Sequence, residues 1–392
     1  METQTGTEKK NNSDILKVVG LILLFGILIF AVARVIIGSS FFRESGEVLH
    51  TDTDGDILYS AAADAIAGIR PYESGIAVLT ESEMLYFDAA GSITRSARHD
   101  YQTPCLTSFE RKILVYDRGK TDYRIEINAA VYGEWTAPGD ILTAAVGKSG
   151  NYAIATLADG GFQSKLYVYK QDGTLQFEWG CAKNFITGIA LSDDGKHFAV
   201  AVAGSENAVY ASEIQCFTIG VQEAVYTENI PNTTVLALDY MHSDTLCYVT
   251  DSFVCFVTNG IAERKLSYSP SSLLDVDIVH ASDVYILLSS GFVDETAPQV
   301  YAWNHRGDCT LASFRAAQAA ELITAQGRYF AVADEKNMTV YTAAGAFAGE
   351  AKSIYAIADL QVVGSNVFYL HENGFSVFSV HNRLAQTTEP AA

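Results

Sequence analysis

The sequence predicts an all-β protein, an eight-bladed β-propeller that follows one N-terminal transmembrane helix. Three observations support this fold class. A long apolar run lies near the N-terminus, short alternating apolar segments fill the chain from about residue 46 onward, and a similar unit recurs along them. The composition agrees, because 21 Tyr and 20 Phe stand beside only 18 % charged residues, a mixture typical of pleated, half-buried strands.

Residues 15–37 form the predicted transmembrane helix. Within it, Val18 to Ala33 carries no charge, and Lys17 and Arg34 flank that core, where long basic side chains reach the lipid head groups. These 23 residues span about 34 Å as a helix, enough to cross a hydrocarbon core of about 30 Å. Residues 1–14 are then a cytoplasmic tail, and residues 38–45 are a short linker to the propeller.

Basic residues set the expected orientation of this helix. Three lysines precede the apolar run and two arginines end or follow it, so the N-terminus is expected in the cytoplasm and the propeller outside it. A cleaved signal peptide is the competing interpretation, since Ala31-Val32-Ala33 resembles a cleavage site. The apolar stretch resumes at Val35, which favours an uncleaved, single-pass helix in the cell membrane.

A strand with an aromatic or apolar end, usually followed by a turn with Gly, recurs through residues 46–381. Eight marker residues define the recurrence: Phe87, Ile127, Tyr169, Phe217, Phe256, Trp303, Tyr341 and Phe378. Their mean spacing is about 42 residues, and units of 40–45 residues with four strands are typical of propeller blades. We therefore expect eight blades, with seven as the alternative.

The last unit contains only three strand signals, between Ile354 and Val380. We expect Gly46 to His50 to supply its fourth strand and to close the ring, because closure removes a sheet edge that invites aggregation. Residues 382–392 are expected to form a flexible C-terminal tail.

Parts of the chain resemble known propellers. Leu166 to Trp179, with the sequence LYVYKQDGTLQFEW, is similar to the repeat of quinoprotein-like propellers. The whole chain resembles a family of bacterial single-pass membrane proteins catalogued as a domain of unknown function, through the apolar run, Leu114 to Asp117 and Leu191 to Lys196. The resemblance implies a quinoprotein-like or WD40-like propeller and an exported location. It brings no catalytic residues.

Six cysteines occur without the CxxC or Cys/His spacing of a zinc site. Cys247 and Cys255 are equidistant from Asp251, the expected centre of a hairpin turn. This symmetry makes them candidates for a cross-strand disulfide, and two buried free thiols are the alternative.

Polar residues on the inner strands are the candidate functional residues, because inner strands line the propeller channel. Asp239, Asp275, Asp277 and Asp359 fall on or beside predicted inner strands. Asp275 and Asp277 are two residues apart and share one face, so they are candidate ligands for a hard cation such as Ca²⁺. The alternative is that these aspartates accept backbone N–H bonds. Asp52 to Asp56 lacks the glycine position of a calcium loop.

The sequence contains no nucleophile elbow, phosphate-binding loop or dinucleotide motif, and a quinone cofactor is not expected because only three Trp occur. A net charge of −20 disfavours binding to nucleic acid. We expect a non-catalytic binding or scaffold module in the cell envelope, with a protein or glycan partner. The alternative is an extracellular enzyme that acts on a glycan or a small molecule at the channel mouth, which inward-facing titratable groups with shifted pKa values would favour.

Overall fold

The computed structural model describes residues 65–206, 209–290, 297–316, 319–371 and 374–380. They fold into strands grouped in eight antiparallel sheets. Among these residues no helix is long and apolar enough to cross a membrane. The predicted transmembrane helix, the linker, the segment Gly46 to His50 and the C-terminal tail all lie outside the described residues.

Each sheet is one blade, and the strands of a blade follow one another in sequence. Blade 1 contains β1 (Ile66–Tyr72), β2 (Gly75–Thr80), β3 (Glu83–Phe87) and β4 (Ile93–Arg98). Blade 2 contains β5 (Pro104–Phe109), β6 (Lys112–Asp117), β7 (Asp122–Ile127) and β8 (Ala130–Thr136). Blade 3 contains β9 (Ile141–Val146), β10 (Tyr152–Leu157), β11 (Ser164–Tyr169) and β12 (Leu175–Cys181). Blade 4 contains β13 (Phe185–Leu191), β14 (His197–Glu206), β15 (Val209–Thr218) and β16 (Tyr226–Pro231).

The second half of the domain repeats this arrangement. Blade 5 contains β17 (Val235–Tyr240), β18 (Thr245–Thr250), β19 (Phe253–Thr258) and β20 (Ile261–Ser267). Blade 6 contains β21 (Leu273–Ile278), β22 (Asp283–Leu288), β23 (Gln299–Asn304) and β24 (Cys309–Arg315). Blade 7 contains β25 (Leu322–Gln326), β26 (Tyr329–Ala333), β27 (Asn337–Thr342) and β28 (Phe347–Lys352). Blade 8, in the described residues, contains β29 (Ile357–Val363), β30 (Asn366–His371) and β31 (Gly374–Ser379).

The blades follow one another around a ring whose channel is lined by their first strands. Each first strand contacts the first strand of the next blade, and β1 contacts β29, which brings the two ends of the ring together. At this seam Phe87 of blade 1 packs on Phe375 of blade 8, with ring centroids 4.8 Å apart. Both side chains are buried, so apolar packing joins blade 1 to blade 8.

Alternating strand direction gives the ring two faces. The turns between the first and second strands, and between the third and fourth strands, lie on one face, which we call the mouth face. The turns between the second and third strands, and the links from blade to blade, lie on the opposite face. Every first strand therefore ends at the mouth face.

The predicted repeat is confirmed with eight blades, and the seven-bladed alternative is wrong. All eight marker residues lie on the third strand of a blade. Third strands pack between neighbouring blades, as Phe253 to Val257 of β19 illustrates by full burial, although β7 carries the buried charges of Arg124 and Glu126. The glycine that follows this strand supplies a left-handed turn, with φ of 85° at Gly173, where a Cβ would lie 2.7 Å from the Trp135 indole nitrogen.

The candidate Cys247–Cys255 disulfide is wrong, and the alternative of two buried free thiols is confirmed. Both thiols are free and buried. The register pairs Cys247 with Phe256, and Tyr248 with Cys255, so the two cysteines point to opposite faces of blade 5. The turn is centred between Asp251 and the following serine rather than on Asp251, and a shift of half a residue in the turn centre is enough to separate the side chains.

Candidate functional site

Acidic side chains concentrate on one part of the channel wall. Asp239 lies on β17 of blade 5, Asp275 and Asp277 on β21 of blade 6, and Asp359 on β29 of blade 8, which confirms their predicted placement on inner strands. All four are half-buried. Arg70 on β1 is exposed beside them and is the basic residue that lowers the pKa of Asp359. We call Asp275, Asp277 and Asp359 the acidic wall.

Two of these carboxylates join blade 6 to blade 7. Asp275 Oδ2 accepts a hydrogen bond from the backbone N–H of Ile323 at 2.8 Å. Asp277 Oδ2 accepts one from the N–H of Ala325 at 2.7 Å and another from the Thr324 hydroxyl at 3.1 Å. Because both acceptors are on β21 and all three donors are on β25, the pair fixes the register of one inner strand against the next.

Burial makes ionisation of the acidic wall unfavourable. It raises the pKa of Asp275 to about 7, and the nearby charges of Asp277 and Asp359 raise it further, while hydrogen bonds from backbone N–H groups oppose the shift. Burial likewise raises the pKa of Asp359 to about 6, against the lowering effect of Arg70. The pKa of Asp277 is raised in the same way. The wall therefore holds like charges whose repulsion grows between mildly acidic and neutral pH.

A histidine lies across the mouth end of the channel. His280, in the turn after β21, places Nδ1 3.0 Å from Asp239 Oδ2 and Nε2 2.7 Å from Asp193 Oδ1. The second contact has the distance of an ion pair without the alignment of a hydrogen bond. The edge of the imidazole meets the Phe109 ring, with centroids 4.7 Å apart. Since Phe109 belongs to blade 2 and His280 to blade 6, this contact reaches from one side of the eight-bladed ring to the other.

A lysine side chain also contacts Asp193. Lys148 of blade 3 places Nζ 3.1 Å from Asp193 Oδ2. We call Phe109, Lys148, Asp193, Asp239 and His280 the mouth cluster, and its members come from five consecutive blades. It contains two acids and two potential cations, so its charges are largely compensated, unlike those of the acidic wall.

The two carboxylates favour the charged form of His280. Burial lowers the pKa of its imidazole, but the hydrogen bond and negative charge of Asp239, with the charge of Asp193, outweigh burial and raise the pKa above its usual value. Burial raises the pKa of Asp239, and His280 opposes that shift. The cluster is thus held together best when the imidazole is protonated.

The sequence patterns did not indicate that His280 and Asp193 lie together. The available signal was position: both residues follow a first strand, and in a ring all first strands end at the same mouth. A comparison of the turns that follow each first strand would have placed His280 and Asp193 in one group. The contact of Phe109 with His280 across the channel depends on the ring diameter, which cannot be derived from the repeat spacing.

The calcium site predicted at Asp275 and Asp277 stays a prediction. Their oxygens already accept the backbone and hydroxyl hydrogen bonds given above, as the alternative interpretation expected. In the part of the chain that the structure describes, no group of three or more His, Cys, Asp or Glu is placed to hold a metal ion. A cation at this position would have to compete with the N–H donors of β25.

A surface pocket lies on the mouth face between blades 7 and 8. Its lining consists of Gln326, Gly327, Arg328, Tyr329, Gly364 and Ser365. The pocket is open to solvent, and it contains neither a carboxylate nor an imidazole that could serve as a general base beside Ser365.

A protein-family model covers residues 57–370 and describes a family of unknown function, DUF5711. This confirms the resemblance to a catalogued family without an assigned activity. No curated protein matches the chain as a relative.

Solved structures with the same fold share little sequence with this chain. The C-terminal WD40 domain of Sif2 is 12 % identical, with a TM-score of 0.57 over 86 % of this chain and 99 % of that one. AztD from Citrobacter koseri is 13 % identical, with a TM-score of 0.51 over 79 % and 92 %. BamB from Moraxella catarrhalis is 14 % identical, with a TM-score of 0.49 over 80 % and 96 %. The two structures with TM-scores above 0.5 share the propeller fold with this chain, and identities this low show the fold alone.

Proposed function

This chain belongs to the DUF5711 family, and we propose that its propeller is a membrane-anchored, extracytoplasmic module that binds a protein or glycan partner on the mouth face. In this role it acts as a binding or scaffold component of the cell envelope. The observation that carries the proposal is the mouth cluster, in which five blades contribute side chains to one charged surface. A rigid ring that presents turns on one face suits recognition of a large partner.

The geometry of the channel supports binding rather than turnover. His280 and Phe109 meet across its mouth, which restricts entry of a small substrate from that side. The carboxylates of Asp275 and Asp277 are engaged by β25, so their hydrogen bonds hold blades together. A partner on the mouth face would instead meet the exposed ends of turns, such as Lys196, whose side chain is 73 % exposed.

The membrane and export parts of the proposal rest on the sequence of residues 15–37 and on the basic residues before it. Protease added to intact cells should degrade the propeller. An intact domain after complete digestion of a known surface protein would refute the proposed topology.

Site-specific photocrosslinking tests the mouth face directly. A photoreactive residue replaces Lys196 on the mouth face in one version of the full chain, and Lys336 on the opposite face in a matched control. We expect an adduct of discrete mass from position 196 and none from position 336. Equal adducts from both positions, or an adduct from 336 alone, would reject the mouth face as the binding surface.

One observation favours the enzymatic alternative. The acidic wall contains inward-facing carboxyl groups with raised pKa values, about 7 for Asp275 and about 6 for Asp359, as expected of a catalytic acid. An enzyme that acts on a glycan or a small molecule through this wall would lose turnover in Asp275→Asn while retaining the position-196 adduct. A binding module would have no turnover to lose.

A further inference from the structure

The outer edge of blade 2 presents an unusual pair of aromatic side chains. Its fourth strand, β8, reads AVYGEWT and carries Tyr132, which is 50 % exposed, and the half-buried Trp135. Among the described residues, no other fourth strand has two aromatic residues outside the buried core. The pair therefore distinguishes blade 2 from the rest of the ring.

Packing holds the indole of Trp135 in place beside Tyr132. The two ring centroids are 6.5 Å apart, with 37° between the ring planes. Gly133 makes room for the indole, because a Cβ at this position would overlap it. The indole also stacks on Tyr123, which is buried, with centroids 5.8 Å apart. The exposed part of the pair is therefore a preorganised aromatic surface, which lowers the cost of binding a ligand.

Two apolar residues extend this surface toward blade 3. Val131 precedes Tyr132 in β8 and is exposed. Gly173, in the mouth-face turn before β12, approaches the indole, and Leu175, two residues further on, is exposed. The surface therefore lies where the outer edge of the ring meets the mouth face. We call it the aromatic patch, and it consists of Val131, Tyr132, Trp135 and Leu175.

Carboxylates flank the aromatic patch. Glu134 precedes Trp135 in β8 and is exposed, and Asp172 is exposed next to Gly173. The N–H of Thr174 donates to Asp172 Oδ1 at 2.9 Å, and this hydrogen bond lowers the pKa of Asp172. Ionised carboxylates accept hydrogen bonds and donate none, so the rim of the patch suits a ligand that carries hydroxyl groups.

The size and charge of the patch restrict what can occupy it. Its partly exposed side chains offer roughly 300 Å² of surface, whereas each partner in a stable protein complex buries about 800 Å². A second copy of the chain, with its net charge of −20, would add carboxylates to those already present. The same charge disfavours anionic ligands, so the expected occupant is small, uncharged and rich in hydroxyl groups.

A sugar ring has this chemistry. The C–H groups on one side of a pyranose pack against the negative face of an aromatic ring, and its hydroxyls donate to carboxylates. We propose that the aromatic patch binds a neutral pyranose unit of a glycan, which packs on Tyr132 and Trp135 and donates hydrogen bonds to Glu134. This inference rests on the proposed binding function and specifies its ligand as an uncharged glycan.

Titration of the full chain with defined sugars tests the proposal. The probes are neutral hexasaccharides of glucose, mannose and N-acetylglucosamine, with hexagalacturonate as the anionic control. Calorimetry measures binding, and tryptophan fluorescence locates it, because only three Trp occur and Trp179 and Trp303 are buried. We expect saturable binding of a neutral probe with a shift in emission, and neither for hexagalacturonate. No binding of any neutral probe, or tighter binding of hexagalacturonate, would overturn the proposal.

Variants of the exposed ring assign the binding to the patch. Tyr132→Ala should weaken it about tenfold, and Tyr132→Phe, which keeps the ring, should retain most of it. The matched control is Phe347→Ala, at the start of the fourth strand of blade 7, where the side chain is also exposed. This control should bind like the wild type. Undiminished binding in Tyr132→Ala, or an equal loss in Phe347→Ala, would refute the assignment.

Two further outcomes separate this inference from the proposed function. Failure of every neutral probe while the position-196 adduct persists would remove the glycan inference alone and leave the mouth face as a binding surface. A dimer of the wild type that Tyr132→Ala dissociates, seen by sedimentation without sugar, would also overturn the inference, because the patch would then be an interface between copies of the chain.

Discussion

Two regions of the ring bury charge in opposite ways. Between blades 1 and 2, Arg124 and Glu126 form an ion pair at 2.5 Å, and Arg124 also donates to the Ala97 carbonyl while Tyr86 donates to Glu126. Both charged side chains are fully buried. The acidic wall instead holds carboxylates beside one another, and burial raises their pKa values. In the first arrangement each buried charge has a partner, so removing either one would leave the other unpaired, whereas the second holds like charges together at a cost.

The mouth cluster lies between these extremes. His280 supplies a positive charge to Asp239 and Asp193 only when its imidazole is protonated. Side chains whose charge depends on pH therefore lie in the channel and at its mouth. The compensated Arg124–Glu126 pair lies between blades 1 and 2, away from the channel. Variants of the Arg124–Glu126 pair, the mouth cluster and the acidic wall should therefore differ in how their stability depends on pH.

The largest effect is expected from breaking the buried pair. Glu126→Gln leaves the Arg124 guanidinium buried without a counter-ion, which should lower the free energy of unfolding by about 3 kcal/mol or more. Urea unfolding of the full chain measures this loss. The matched control is Glu178→Gln, which breaks the exposed pair with Lys165 and should unfold close to the wild type. A similar loss in both variants would remove the distinction between buried and exposed pairs.

The mouth cluster should give an intermediate effect that depends on pH. His280→Gln removes the cation between Asp193 and Asp239 and should cost about 2 kcal/mol at pH 6. Because the pKa of folded His280 is raised, its contribution is fully present below the unfolded value of about 6.5 and is lost as pH rises through the folded pKa. The difference between wild type and variant should therefore shrink by pH 9.

The control for this variant is His242→Gln, at the equivalent turn of blade 5. The His242 side chain is 59 % exposed and lies 3.6 Å from Asp244. Its replacement should leave the unfolding curve nearly unchanged at both pH values. A pH-independent difference between wild type and His280→Gln would show that the imidazole acts through packing on Phe109 and not through charge.

The acidic wall should respond in the opposite direction. Asp275→Asn retains an oxygen that can accept the Ile323 N–H bond but removes a charge that burial disfavours. Because the folded pKa is about 7, above the usual 3.8, the contribution of Asp275 to stability is complete below pH 3.8 and is lost as pH rises to about 7. The variant should be more stable than the wild type at pH 8 and close to it near pH 4.

Asp159→Asn, at an exposed turn, is the matched control and should show neither change. A loss of stability in Asp275→Asn at pH 8 would mean that the charged carboxylate is needed to hold β25.

The smallest expected effect concerns the predicted cation. If Ca²⁺ binds at Asp275 and Asp277, it should raise the melting temperature at pH 8, where the carboxylates are ionised, and the double variant Asp275→Asn with Asp277→Asn should abolish the shift. Differential scanning fluorimetry with and without calcium measures both. An identical melting temperature of the wild type in calcium and in chelator would end the calcium prediction.

Local sequence predicted the repeat well because each blade is built from local hairpins. In blade 3, for example, the apolar runs Ile141 to Val146 and Tyr152 to Leu157 coincide with β9 and β10. The marker residues fell on third strands, where six of the eight are buried against neighbouring blades. The three-strand count of blade 8 in the described residues was also predicted.

Contacts between distant blades were harder to infer. The disulfide prediction for Cys247 and Cys255 was wrong because the centre of one turn lies half a residue from its expected position. Successive residues of a strand point to opposite faces, so this small shift separates the two side chains. The hydrogen bond between Asp275 and Ile323 joins residues that are 48 positions apart in the sequence. It depends on the register between neighbouring first strands. The mouth cluster depends on ring diameter, and the role of His280 follows from the blades opposite and beside it rather than from its neighbours in sequence.

The binding role of the mouth cluster is tested most directly by combining a His280 variant with the photoreactive residue at position 196. Photocrosslinking from position 196 is compared in otherwise wild-type protein and in His280→Gln, at pH 6, where both remain folded by their unfolding curves. We expect the discrete adduct to be lost or strongly reduced in His280→Gln and retained in His242→Gln. An adduct of undiminished yield in His280→Gln would contradict a binding role for the mouth cluster.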